Sequence, residues 1–301
     1  MSLHSEKYLT RVSDFPKSAE AYLGICKLKV VLMLVLTAWV GVILAPEVGR
    51  SAMAQFFSLL GIGLVSAAAA AINHVVDKER DKKMARTRHR PLAQRQLSSQ
   101  QAYTFAACIG LSGVGLLLVF SNWLCAVLTV SALFGYAVVY SVFLKHMTPQ
   151  NIVIGGLAGA MPPLLGWVSE SGTMSAEPWL LVMIIFTWTP PHFWALAIAR
   201  KKDYERAHIP MLPVTHGVKF TKLCMLIYAV LLMLVCLLPF LIGMSDWFYL
   251  IISSLLNVVF VQKIICLYFE SKSESAMHVF RFSITYLLLL FVVFFIDKLV
   301  L

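Results

Sequence analysis

The chain has 301 residues, of which 59% are hydrophobic and 13% charged, with a formal net charge of +10. An ordinary soluble chain carries about 25% charged residues, so a water-soluble globule is excluded, and the apolar content equally excludes a disordered chain. The solvent for most of this sequence is lipid.

A bilayer core of about 30 Å needs about 20 apolar residues per helix. Nine stretches meet that length: 25–45, 52–73, 102–120, 122–144, 150–168, 178–199, 222–243, 247–269 and 279–297. Backbone groups in hydrocarbon must be satisfied within the segment, so the expected fold is all-α, a polytopic bundle of nine transmembrane helices. One membrane-embedded domain then covers 1–301, with a cytoplasmic segment at 1–24 and cytoplasmic active-site loops at 74–101 and 200–221. Nothing in the first 20 residues resembles a secretory h-region, and Glu6, Asp14 and Glu20 argue against an acid-poor transit peptide. The expected setting is a bacterial inner membrane.

Nine spans put the termini on opposite sides. Of the 25 Lys and Arg residues, 23 then fall on the N-terminal face and only Arg50 and Lys298 on the other, which makes the N-terminal face cytoplasmic. Cys26, Cys108, Cys125, Cys224, Cys236 and Cys266 lie within or beside apolar runs and form no Cys-x-x-Cys pair, so they are expected as small buried hydrophobes.

Two cytoplasmic connections are too rich for topology alone. Where span two leaves the membrane, Asn73, Asp77 and Asp81 recur every four residues. On an α-helix they cover an arc of about 80° and a rise of about 12 Å, one face of oxygen donors, with Arg80 within about 20° of Asn73. One or two carboxylates, completed by substrate phosphate and water, are what Mg2+ prefers. The bases that follow, Arg86 and Arg90 among them, suit a metal-bridged diphosphate. The competing expectation is ion pairing at helical spacing, Asp77 or Asp81 with Arg80, worth only about 0.2–0.5 kcal/mol per pair. After span six, Asp203 lies among Lys201, Lys202 and Arg206, either as a solvated acid or as the second half of a shared metal site.

Other residues admit two readings. Tyr136 and Tyr140, one turn before Lys145, could line a cation-tolerant cavity with Trp188, Phe193 and Trp194, or simply pack. His192 follows Pro190 and Pro191 inside span six, where an imidazole ligates heme iron, hydrogen-bonds a substrate, or satisfies carbonyls freed by the prolines. Gly155 and Gly159, four apart, suit close helix approach.

Five segments carry a resemblance: NHVVDKERD from Asn73, MARTRHRPL from Met84, NIVIGGLAGAMPPLLGW from Asn151, PPHFWALAI from Pro190 and KDYERAHIPMLPV from Lys202. Together they resemble the UbiA-type intramembrane prenyltransferase superfamily, and within it the protoheme IX farnesyltransferase family. The resemblance implies transfer of the farnesyl group of farnesyl diphosphate to a vinyl group of heme B, with water addition, giving heme O. It implies Mg2+ bound with the diphosphate by Asp77, Asp81 and Asp203 beside Asn73. Arg80, Arg86, Arg90, Lys145 and Lys202 would bind the diphosphate, and Tyr136, Tyr140, His192 and Trp194 would line the heme or prenyl pocket. It implies heme A synthase or a terminal oxidase as protein partners, beside the lipid bilayer, and no nucleic acid. Many superfamily members carry a second Asp-x-x-x-Asp, whereas Ala207 follows Asp203 here. The alternatives are a prenyltransferase acting on a quinone precursor and a secondary transporter of an anionic metabolite, the latter disfavoured because the acids cluster at one surface.

Overall fold

The computed structural model describes residues 15–270 and 273–300, and every element among them is helical. Eight helices are long and apolar enough to cross a membrane, and a bent pair at the start brings the number to nine. The chain is a multi-pass helical membrane protein. In chain order the principal elements are α1 (Phe15–Ile25), α2 (Leu28–Leu44), α3 (Ala52–Asp81), α4 (Ser99–Phe120), and α5 (Trp123–Phe134) running into a π-helix (Gly135–Leu144). There follow α6 (Asn151–Ala160), α7 (Pro162–Ser171), α8 (Glu177–Ala199), the short α9 (Lys201–Arg206) and α10 (Leu212–Thr215), α11 (Gly217–Val235), α12 (Leu238–Leu241), α13 (Trp247–Phe269) and α14 (Ser273–Val300).

Three expectations change. The first span is broken: Ala19–Ile25 and Leu28–Leu44 meet at 52°, with Lys27 in the left-handed region at φ 51°. Residues 15–24, expected as part of a cytoplasmic tail, include helix α1, whose Ala21 packs with Leu92, Leu97 and Ala102 in a small separate core. Of the segment 74–101, residues 74–81 continue α3, so the loop proper starts later and the acidic face stays on the helix its spacing predicts. Among the cysteines, Cys26, Cys125 and Cys236 are buried, Cys224 is half-buried, and Cys108 and Cys266 are exposed.

Without a hydrophobic force between helices in lipid, small residues set how closely the helices approach. A methyl group on Gly41 would fall 2.0 Å from the Pro163 carbonyl oxygen, and one on Gly166 would fall 1.8 Å from that of Ala38, so α2 and α7 meet backbone to backbone. Gly159, expected to share the role of Gly155, has open space around it; Gly156, against Thr189 of α8, takes its place.

The end opposite the basic loops is closed by two long-range caps. Arg50 donates from Nε to the Glu170 carbonyl at 2.9 Å and from Nη1 to the carbonyls of Phe120 and Ser121, so one guanidinium serves the last turns of α4 and α7. The Asp297 carboxylate accepts the amides of Asp246 and Tyr249, each at 2.9 Å, at the start of α13. Replacing Asp297 by Ala strands two amides at a helix N-terminus, that of Tyr249 buried, a cost of about 1–3 kcal/mol. Thermal unfolding in detergent is expected to show a lowered Tm for Asp297→Ala and a smaller loss for Asp297→Asn, which keeps one acceptor.

Candidate active site

The oxygen-donor face of α3 is buried: Asn73, Asp77 and Asp81 are 3%, 2% and 4% exposed. Charged groups at that depth need partners, and they find them on other elements. Lys145, at the end of the π-helix, donates to Asp77 Oδ2 at 2.5 Å. Asn73 donates from Nδ2 to the same oxygen at 3.1 Å and to Ser141 Oγ at 2.9 Å, while its Oδ1 accepts from Lys27 Nζ at 2.6 Å. The asparagine amide thus joins a cation on one side to an anion on the other, which neither an acid nor a base could do. Arg90 takes both oxygens of Asp81, at 3.0 and 2.8 Å. The pairing at helical spacing with Arg80 does not occur; Arg80 is half-buried and makes no ion pair among the described residues.

The π-helix is what brings Lys145 in. Its wider turn lets Ser141 Oγ donate to the Tyr136 carbonyl five residues back, at 2.8 Å, and π-turns recur at functional sites. Tyr136 and Tyr140 stack at 5.7 Å and 17°, and Lys27 Nζ lies 3.3 Å from the Tyr136 hydroxyl. Gly155 of α6 makes room for this pair, since a methyl group there would fall 2.1 Å from the Tyr140 ring. Asn151 Nδ2 donates to the Lys145 carbonyl and ties α6 to the same turn.

The second loop folds onto the first. Met84 joins the buried cluster that contains Tyr204, Ala207, Ile209, Met211 and Leu212. Asp203 is 8% exposed and makes no ion pair among the described residues. Burial pushes the neighbouring Tyr204 phenol up from its ordinary value, against the opposing pull of Arg86 and Arg90. Arg86 is itself exposed. Lys202 is exposed and unconnected to this cluster by any ion pair among the described residues. Ala207 is buried in the core, at a place where a second carboxylate would need a partner of its own.

The aromatic residues divide. His192 lies on α8 against α14, where its Nδ1 meets Ser283 Oγ at 2.7 Å. Trp194 packs edge-on to Tyr228 of α11 at 5.5 Å, with no partner for its Nε1. Phe193, by contrast, is 39% exposed.

One carboxylate oxygen at this site has no protein partner. Asp77 Oδ1 is buried with no hydrogen-bond partner, a hard donor left free while Oδ2 carries Lys145 and Asn73. Among the described residues no three His, Cys, Asp or Glu side chains gather at ligand distance, so a divalent ion would take its remaining oxygens from substrate and water.

Lys27 is a member of this cluster that motif reasoning passes over, because a base beside the first apolar run reads as a topology signal. Two signals mark it: it interrupts the first apolar run, and ionisable residues at membrane depth default to function. Its left-handed backbone, uncommon for a residue with a Cβ, is the kind of local strain that clusters at active sites. Charged hydrogen bonds are worth about 1.5–3 kcal/mol, so Lys27→Met and Asn73→Asp are each expected to weaken binding of a prenyl diphosphate by about 10-fold or more in calorimetric titration.

Comparisons with known proteins identify the family. The model of the UbiA prenyltransferase family matches residues 34–294. The chain is 66% identical over 277 residues to protoheme IX farnesyltransferase 2 of Pseudoalteromonas translucida, covering 92% of this chain and 90% of the relative. It is 58% identical to the protoheme IX farnesyltransferase of Psychromonas ingrahamii, covering 92% and 89%. The fold is similar to that of a digeranylgeranylglyceryl phosphate synthase, with TM-score 0.78, 18% identity and coverage of 95% and 100%. A UbiA homolog from Archaeoglobus fulgidus bound to GPP and Mg2+ gives TM-score 0.64 at 15% identity, covering 91% and 99%. A family match over most of the sequence, with relatives this similar across nine-tenths of their own length, makes the chain a member of the UbiA prenyltransferase family.

Proposed function

We propose that this chain transfers the farnesyl group of farnesyl diphosphate to a vinyl group of heme B, with addition of water, releasing heme O and diphosphate. The observation that carries the reading is the 66% identity, over 92% of the chain, to a protein named for farnesylating protoheme IX. The buried cradle around Asp77 supports it with chemistry.

The cradle neutralises a leaving diphosphate. Lys27 and Lys145 approach it from two helices, with Arg90 and Arg86 contributed by the first loop and Asp203 by the second. Preorganised cations of this kind stabilise the charge that develops as the allylic carbon–oxygen bond breaks. Asp77, through its free Oδ1, and Asp81 are the residues that would hold Mg2+ against the diphosphate, with Asp203 across the cleft; the ion supplies further neutralisation of the leaving group. Arg80 and Lys202 are available from the margins. The stacked rings of Tyr136 and Tyr140 lie beside Lys27, at the boundary between cradle and apolar interior, where their π faces tolerate an allylic cation and exclude water from it. The C1 carbon of the farnesyl group bonds to the terminal vinyl carbon of heme B. Water then captures the neighbouring carbon as a hydroxyl and releases a proton.

The whole chain works as one prenyltransferase domain in a bacterial inner membrane, with its basic end and both active-site loops cytoplasmic, because Lys and Arg concentrate on that face. Heme A synthase or a terminal oxidase is the natural recipient of the product.

Purified protein with heme B, farnesyl diphosphate and Mg2+ is expected to yield hydroxylated, farnesylated heme by mass spectrometry. Asp77→Asn and Asp81→Asn are each expected to lower the rate by about 100-fold or more. Prenylation of 4-hydroxybenzoate in place of heme would overturn the assignment, and unchanged turnover in both variants would overturn the role of the α3 face.

A further inference from the structure

His192 has a defined proton position. Ser283 carries a single hydroxyl hydrogen, and it donates that hydrogen to the Phe280 carbonyl at 2.7 Å. The 2.7 Å contact between His192 Nδ1 and Ser283 Oγ must then run the other way, with the imidazole N–H donating and the serine oxygen accepting. A neutral imidazole with its proton on Nδ1 carries a free lone pair on Nε2. No hydrogen-bond partner for Nε2 occurs among the described residues.

The ring is also held rigidly. Trp188, one turn earlier on α8, stacks on it at 4.2 Å and 18°, and Phe280 of α14 stacks at 4.6 Å and 26°. Trp188 Nε1 donates to the carbonyl of the same Ser283 at 2.9 Å, so the two α8 side chains are pinned to one residue of α14. Phe193 borders the ring edge-on at 5.0 Å. None of these contacts satisfies a carbonyl freed by Pro190 or Pro191, which removes the simplest structural reason for a histidine here. An imidazole whose Nδ1–H is fixed by an oxygen acceptor and whose Nε2 is free is the arrangement found in metal-ligating histidines, where the acceptor sets tautomer and orientation.

We infer that His192 Nε2 is the axial ligand of the iron in the porphyrin substrate and that Ser283 is the positioning residue that sets its tautomer; this rests on the heme-farnesylating reading above. Ligation at the centre of the macrocycle leaves the vinyl groups at its periphery uncovered. His192 precedes the end of α8 at Ala199 by seven residues, about 10 Å, which sets it back from Lys202 and the second loop. Iron ligation also distinguishes heme B from metal-free protoporphyrin, which carries the same vinyl groups. His192 is thus a specificity residue for the acceptor.

The test titrates purified full-length protein in detergent with ferric heme B, without farnesyl diphosphate or Mg2+, and reads visible absorption and electron paramagnetic resonance. Wild type and Asp77→Asn are expected to show the same imidazole-ligated heme. His192→Gly is expected to lose that signature and to regain it on adding free imidazole, which shows that the variant is folded. Ser283→Ala is expected to weaken heme affinity by about 10- to 100-fold, with Ser283→Thr restoring it, because the acceptor for Nδ1–H is lost and returned. A wild-type spectrum that His192→Gly leaves unchanged, or a His192→Gly spectrum that imidazole does not restore, overturns the inference. Turnover assayed in parallel separates the two claims. Farnesylation of heme with no dependence of the spectrum on His192 overturns the ligand alone, and a His192-dependent spectrum with no farnesylation overturns the reaction alone. Failure of wild type to bind heme overturns both.

Discussion

The buried pair of Asp77 and Lys145 is the constraint around which the bundle is arranged. Charges withdrawn from water in a low-dielectric interior are costly unless each finds a partner and its remaining polar atoms are bonded. Its own helix serves Asp77 only with the neutral Asn73 amide one turn away, and the cation that pairs with it, Lys145, comes from the π-helix. Asn73 in turn requires an acceptor for its second Nδ2 hydrogen and a donor for Oδ1, and Ser141 and Lys27 supply them. One oxygen, Asp77 Oδ1, is left out of this closed set. On the function proposed, that oxygen is where a divalent ion would meet the network.

Irregular backbone concentrates where that network is assembled. The first span breaks at Lys27, whose left-handed conformation turns its side chain toward α3. The fourth span loosens into ten residues of π-helix just before Lys145. Both departures cost backbone free energy, and membrane helices tolerate them only where other protein covers the freed groups. The glycines of α6 provide the cover, Gly155 accepting the Tyr140 ring and Gly156 accepting Thr189. At the opposite end of the bundle, Arg50 and Asp297 tie helix termini together over long sequence separations, and the frame holds while the basic end bends.

On the reaction proposed, two chemistries are kept apart along the bundle. Near the basic end, cations and carboxylates surround a place for a diphosphate. Deeper, on the contact between α8 and α14, His192 is stacked between aromatic rings and bonded to a serine. A reaction that expels a charged, water-soluble diphosphate while joining two apolar partners needs this separation, because water would quench an allylic cation.

Much was legible in residue order alone. Hydropathy sets span number and class because the bilayer permits only helices of about 20 residues, and the four-residue recurrence of Asn73, Asp77 and Asp81 is itself a helix face. Family membership follows from text, since PPHFWALAI and IPMLPV need no coordinates. What local order could not specify is which base meets which acid. Helical spacing nominated Arg80, but tertiary structure chose Lys145, 68 residues away, for Asp77 and Arg90 for Asp81. It likewise turned Lys27 from a topology signal into a member of the site and fixed the proton of His192 through Ser283, 91 residues distant. The sequence by itself determined the solvent, the helices and the chemistry they carry, because those depend on composition and local period. Only the tertiary structure decided the partners, because a buried charge is satisfied by whatever the fold brings within hydrogen-bonding distance, however far apart along the chain.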